Sequence, residues 1–591
     1  MTGNITDLFH SEIEEAEDCY IPLIDLLINA WSVPGNLIII YELNGPIRFI
    51  DKADHQKMRD AWGKLHHDET QRAIDLALAR TKSEIARLSA QGSQSFDQYL
   101  KKAEGNPTYA LELLRQVCLC SRLTQDGVPL LWEDVIIIIE GAEFLVPDGE
   151  ISRMADIDRQ RVSICRDWFS DPGFVNARDS VVLLSESLST LNEKIVRLPQ
   201  VLAVEVPSPN LLERCQLIRW FNKQQPDDNK LKLWDTQETL AKMTAGLSSH
   251  ALLQLLRQSV HLKRKLSADE VIHKVEAYIQ QQLGEDVVEF KKPEHGLKDV
   301  VGFTGLKAFM REELIPRIKS TGKSALPGAV IGGPIGSGKT FLLEAVAGEL
   351  NIVVLVLKNI RSKWFGGTDI IFERLRRIIY ALEKSLIFVD EADTQFGGVG
   401  AETHPTERRL TGKIQAMMSD PLLRGKASWL LITARIHLLS PDIRRPGRAG
   451  SLMIPILDPE GNDLDDFIAW MIRPVFKPDN QCAGIKEAVA DLKPLLKDAY
   501  AAVFAEQRSN LIAQAELKGN SAKLTCDGIK AIVSDFIPPA LAKTRRYQEL
   551  QALLNCTRLS LLPGNLERDA IEVTRNLWAR EIAQLEAEGI H

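Results

Sequence analysis

The sequence predicts an α/β protein of two modules, each a parallel sheet sandwiched by helices and followed by a helical lid. Three observations carry this. An apolar run, a glycine-rich loop and a helical pattern succeed one another over 329–350, the order of a strand–loop–helix unit. Comparison of the chain with itself gives a weak repeat at an offset near 250 residues, and such a period marks duplicated architecture. Finally, 591 residues exceed what one core holds; at roughly 150 residues per domain the chain makes about four folding units.

Composition narrows the class further. Apolar residues at 45% and charged residues at 26% are ordinary globular values, which excludes a disordered or fibrous chain. With 72 Lys+Arg against 80 Asp+Glu the formal charge is −8, the wrong sign for a surface that grips phosphate backbones, so nucleic acid is not an expected partner. Apolar runs such as 135–139 fall far short of the roughly 20 residues that span a bilayer, so no membrane insertion is expected. The first residues, MTGNITDLFHSEIEEAEDCY, are acidic and lack the basic and apolar regions of a signal peptide. Eight cysteines without a C-x-x-C pair suggest neither a disulfide framework nor a zinc site. A cytoplasmic protein is expected.

In chain order, the first module spans 1–210 and its lid 211–290. Its first strand is expected at Leu37 to Tyr41, and the subsequent ELNGPIRFID has no glycine loop to cradle a triphosphate. A polar, helix-compatible stretch over 51–120 has apolar positions at Ile74, Leu76, Leu78, Ile85 and Leu88. It contains His66-His67, read as a solvated face, and Cys118 and Cys120, read as packing residues. VIIIIEGAEF, from Val135, lies over LIFVDEADTQF, from Leu386, which puts Glu140 opposite Asp390 and Gly141 opposite Glu391. By the same offset Val181 to Leu184 is a second buried strand, Arg197 falls opposite Arg445, and 202–209 lies over 452–459.

The second module, 291–458, carries the chemistry, and 459–591 is expected to be a lid and a further helical region. Gly333-Pro334-Ile335-Gly336-Ser337-Gly338-Lys339-Thr340 matches G-x-x-x-x-G-K-[ST]. The glycines let backbone N–H groups turn in around phosphate oxygens, and the next helix aims its positive end at them. Lys339 is expected on the β and γ phosphates of ATP and Thr340 on Mg²⁺. About fifty residues on, a buried-strand run ends in Asp390-Glu391. Asp390 is expected to orient Mg²⁺, and Glu391 to polarise the attacking water as general base. Arg445 and Arg448, flanking Pro446-Gly447, form an always-charged fork expected to act in trans on a neighbouring subunit's ATP.

The succession GPIGSGKT, SKWFGG, LIFVDEAD and LSPDIRRPGR resembles an AAA ATPase, one of the ring-forming ATPases that remodel proteins. The preceding LKDVVGF with Lys307 is similar to that family's lead-in, which implies that Val301 and Gly302 frame the adenine. The resemblance also implies that Lys363, Trp364, Phe365 and Gly366 form a pore loop gripping a translocating peptide. The glycine-rich 397–405 is a second loop of this kind, and Arg408 and Arg409 either sense the next subunit or are solvated. The first module resembles a degenerate AAA module, since Leu240-Ala241, Thr244, Gly246-Leu247-Ser248 and Leu252 fit the family's lid pattern. Three departures stand out: Ala434 where the family has Asn, Ala449-Gly450 where it has Phe-Asp, and a lid region after 460 without the usual sequence. The implied function is an ATP-hydrolysing homo-oligomer, a ring of six, that remodels, unfolds or disassembles an unidentified protein through a central pore. The alternative is an ATP-gated assembly or loading switch that scaffolds a partner without threading.

Overall fold

The computed structural model describes residues 1–12, 19–65, 96–125, 127–284, 287–291, 293, 295–350, 352–358, 368–382, 384–396, 405–478, 482–517, 523–564 and 567–590. They form two compact units, Met1–Tyr278 with Asp369–Ala381, and Ile279–Thr368 with Leu382–His591.

The first unit is built on strands too apolar to face water. Asn36–Glu42 and Asp134–Glu140 pair in parallel from Asn36↔Asp134 to Glu42↔Glu140, and Asp134–Glu140 pairs in parallel with Ser180–Leu183. The isoleucine run at 136–139 is buried on both faces, as parallel strands covered by helices must be. On one face it meets Trp62, Trp168 and the helix Pro107–Arg122; on the other, Leu23 and Leu27 of helix Leu23–Trp31. Cys118 and Cys120 are both buried in that core, where burial pushes the Cys120 thiol up to about 12.

The expected first strand, Leu37 to Tyr41, is corrected by this pairing. It flanks the Glu140 strand, whereas the place beyond Ser180–Leu183 belongs to Thr2–Gly3, which bridges Ser185 and runs parallel to Glu205–Val206. After Thr2–Gly3 the chain presents a carboxylate in place of a glycine loop. Asp7 is 3% exposed and accepts from Ser249 N (2.7 Å) and His250 N (2.8 Å), the first amides of helix Ser249–His261. A negative group at a helix start satisfies orphan donors and meets the positive end of the dipole.

In the second unit the strand order is Val288–Phe290, Val353–Leu357, Ser385–Val389, Ala427–Thr433, Gly328–Gly332, Met453–Pro455. Only the first pair is antiparallel. Since Val288–Phe290 joins this sheet, the second unit starts before the boundary expected at 291. One core runs from the strands through helix Lys339–Leu350 into Gly461–Ile472, Ile485–Leu492, Ala501–Leu517 and Cys526–Asp535. A helical lid therefore forms although its sequence departs from the family pattern. Two more helices come after it, Ala542–Leu554 and Ile571–Ala587. They pair through Arg546 and Glu581 (2.7 Å) and through Tyr547 and Glu586 (2.9 Å). Among the described residues no helix is long and apolar enough to cross a membrane.

Candidate active site in the second unit

The strand order brings the motif residues together. Gly328–Gly332 and Ser385–Val389 both pair in parallel with Ala427–Thr433, so the phosphate loop and the acidic pair leave the same edge of the sheet, the usual ligand crevice of open α/β sheets. The loop is shaped by close approach and by handedness. A Cβ on Gly333 would lie 2.2 Å from Ile456 O, and Gly336 (φ 79°) and Gly338 (φ 85°) take left-handed conformations that side chains resist.

Lys339 opens the helix, and its Nζ donates to Gly333 O (2.9 Å) and Pro334 O (2.7 Å). Burial pulls its ammonium down to about 8, against the opposing pull of Asp390 and with a further push from Arg545. Ser337 is 1% exposed and its hydroxyl has no hydrogen-bond partner among the described residues. Thr340 Oγ1 donates to Asp390 Oδ2 at 3.2 Å, and Asp390 Oδ1 accepts from Glu391 N at 2.8 Å. These are hard oxygen donors at the tip of a strand, a set that fits Mg²⁺, which takes one or two such groups and completes its shell with water and phosphate oxygens. Glu391 is exposed and left-handed (φ 47°).

At the end of the central strand Thr433 Oγ1 donates to Asp393 Oδ1 (2.5 Å), and Arg435 Nε donates to Asp393 Oδ2 (2.6 Å). Asp393 is 6% exposed, so both its oxygens are held. Ala434, between these two donors, supplies no polar group. Arg448 is fastened, donating from Nε to Ser419 Oγ (2.9 Å) and from Nη1 to Asp442 O (3.1 Å). Arg445 is the freer of the two, its side chain 57% exposed with Asp442 3.6 Å away.

Val301 and Gly302 lie against the lid. Gly302 (φ 61°) could not carry a Cβ, which would sit 2.7 Å from Phe467, and Asp463 accepts from Thr304 Oγ1 at 2.6 Å. The expected pore loop, Lys363, Trp364, Phe365 and Gly366, lies outside the described residues, as do 397–404, His66 and His67 and the side chains of Arg408 and Arg409. Sequence reasoning missed Asp393, Asp458, Tyr500, Arg545 and Gln548. Only Asp393 had a local signal, as the last residue of Asp390-Glu391-Ala392-Asp393.

In the first unit Glu140 pairs with Arg48 (3.2 Å), and Gly141 (φ 61°) stands where the second unit has Glu391. It offers no general base at that position.

A phosphate loop, an acidic strand end and a helical lid on one mostly parallel sheet define a nucleotide-dependent ATPase domain. Residues 329–454 match the family described as ATPase family associated with various cellular activities (AAA), and residues 1–207 match AAA+ chaperone, N-terminal Rossmann-like domain. The chain thus carries an AAA ATPase domain behind an N-terminal domain of the AAA+ chaperone type. It is similar to the Cell division cycle protein 48 homolog of Archaeoglobus fulgidus, 32% identical over 140 residues, which are 23% of this chain and 19% of that protein. It is similar to the human ATPase family gene 2 protein homolog A, 30% identical over 162 residues, 27% of this chain and 18% of that one. The rat Vacuolar protein sorting-associated protein 4A is 31% identical over 148 residues, 24% of this chain and 34% of its own length. The chain therefore spans about a fifth to a third of the relatives it matches.

Proposed function

We propose that the chain is an ATP-hydrolysing AAA protein that assembles with copies of itself into a ring of six and remodels a protein substrate through the pore. The single observation that carries this is the approach of Thr340 to Asp390 at 3.2 Å, which joins the phosphate loop to the acidic strand end. Mg²⁺ held there would neutralise phosphate charge. Lys339 binds the β and γ phosphates, and Val301 and Gly302 border the adenine. Glu391, exposed at the strand tip, takes the proton of the attacking water. Arg445 reaches the nucleotide of the adjacent subunit, while Arg448, tied to Ser419 and Asp442, shapes the turn that presents it. Trp364 grips the polypeptide.

Ala434 favours a second reading, an ATP-gated assembly switch with slow turnover, because the strand end beside the acidic pair lacks an amide to place water. Capture of polypeptides by Glu391→Gln in ATP, against the double variant Glu391→Gln with Trp364→Ala, separates them. A polypeptide held only when Trp364 is present supports threading. Capture that ignores Trp364 supports the switch.

A further inference from the structure

The helix Ala542–Leu554, C-terminal to the lid, reaches the phosphate loop. Two of its polar residues lying three apart, Arg545 and Gln548, are only 7% and 3% exposed. Polar groups so deeply buried need specific partners. Gln548 Oε1 accepts from Ile335 N at 2.9 Å, a main-chain amide of the loop itself. The Arg545 guanidinium lies 3.6 Å from the centre of the Tyr500 ring. That ring in turn covers Gly336, where an added Cβ would come within 2.7 Å of it. Ala502 N donates to Gly336 O at 3.0 Å. Asp458 fixes the guanidinium by accepting from Nη2 at 2.5 and 2.6 Å, and the buried Nη1 has no hydrogen-bond partner among the described residues.

All of these grips fall on Ile335 and Gly336. The amides of Lys339 and Thr340 begin helix Lys339–Leu350 and have no intrahelical acceptor, which leaves them for phosphate. The two halves of the loop thus have different duties: one is fastened by the protein, the other is open to an anion. We propose that Gln548 and Arg545 are positioning residues of the nucleotide site, through which the C-terminal helix holds the glycine loop in its phosphate-ready form. The proposal rests on the nucleotide reading of that loop. Glycines at 333, 336 and 338 give the loop wide φ freedom, and whatever ordering the protein does not supply beforehand is subtracted from binding. Because the effect passes through the loop rather than through one phosphate, it weakens di- and triphosphate alike.

The test is the Kd of fluorescent ADP and ATPγS analogues with the full chain. Gln548→Leu and Arg545→Met are expected to raise both Kd values about tenfold, the scale of one lost hydrogen bond in a preorganised site. Gln548→Glu, which keeps an acceptor oxygen, stays within about threefold. Arg546→Ala, on the same helix but paired with Glu581 and Glu549, stays within about twofold. Unchanged Kd values in Gln548→Leu, equal weakening in Arg546→Ala, or a loss confined to ATPγS would each overturn the positioning role. If Gln548→Leu does not fold, hydrogen exchange over 333–340 in Arg545→Met decides: faster exchange than wild type supports the role and wild-type exchange overturns it. A wild-type chain that binds neither nucleotide overturns the parent reading and this one together, whereas wild-type binding with an indifferent Gln548→Leu overturns this one alone.

Discussion

Glu391 and Gly141 stand at the ends of corresponding buried strands, and both have left-handed backbones, φ 47° and 61°. The turn that leaves the strand demands this conformation. Glycine takes it freely, while a side chain there carries strain of about 1–2 kcal/mol. The second unit keeps the strained carboxylate and the first does not, which is what a site for chemistry and a site without it would show. Glu391→Gly is therefore expected to stabilise the second unit by about 0.5–1 kcal/mol, less than the full strain because glycine loses more entropy on folding, while abolishing ATP turnover. Thermal unfolding alongside phosphate release checks both; a less stable variant would refute the strain argument. Lys339 supplies a pH signature. Its ammonium is depressed to about 8 by burial, so the charged form needed by phosphate is lost as pH rises through that value. Nucleotide affinity is expected to fall about fivefold between pH 8 and pH 9, with proton uptake on binding, and Lys339→Arg should abolish the slope. An affinity flat from pH 7 to 9.5 in the wild type would remove Lys339 from the phosphate contact. Lys339, Thr340, Asp390 and Glu391 were legible because their neighbours in sequence announce them. Gln548, more than two hundred residues from Ile335, was not, because nothing local marks a glutamine whose only distinction is its partner.

At the scale of elements, the phosphate-loop strand, its helix and the acidic strand were readable from apolar runs bounded by glycine and carboxylates. Strand order in the first unit was not. Leu37 to Tyr41 is as apolar as a first or a second strand of a parallel sheet, and periodicity does not reveal which neighbour a doubly buried strand selects. Pairing with Asp134–Glu140 does. The lid expected in 459–591 had only a helical pattern to mark it and lacked the family's sequence, since four helices packed on one core tolerate many apolar sequences of suitable volume. Two substitutions test these elements. Gly333→Ala would drive a methyl into Ile456 O, 2.2 Å away; it is expected to destabilise the second unit by about 1–3 kcal/mol and to raise the nucleotide Kd, which calorimetry would read. Asp7→Ala would leave the first amides of helix Ser249–His261 unsatisfied and is expected to destabilise the first unit by about 1–2 kcal/mol. Unfolding at wild-type temperature would mean the carboxylate is not what seats that helix.

For the whole molecule, one unit has a phosphate loop and the other has Asp7 where that loop would begin. Lys339→Ala is accordingly expected to remove all nucleotide binding rather than half of it, and titration to one site per chain in the wild type checks this. The exposure of Arg445 against the fastening of Arg448 makes a further distinction. Arg445→Ala should lose turnover without losing stability, and mixing it with chains that retain Arg445 but carry Glu391→Gln should restore part of the activity if the arginine acts across a subunit boundary. The central claim is that the second unit binds ATP and uses Glu391 to hydrolyse it. The most direct measurement is ATP binding and phosphate release on the same preparations of wild type and Glu391→Gln. The account predicts ATP affinity within about threefold of wild type, and turnover lower by about a hundredfold or more, the range of a lost general base. Undiminished turnover in Glu391→Gln would contradict it.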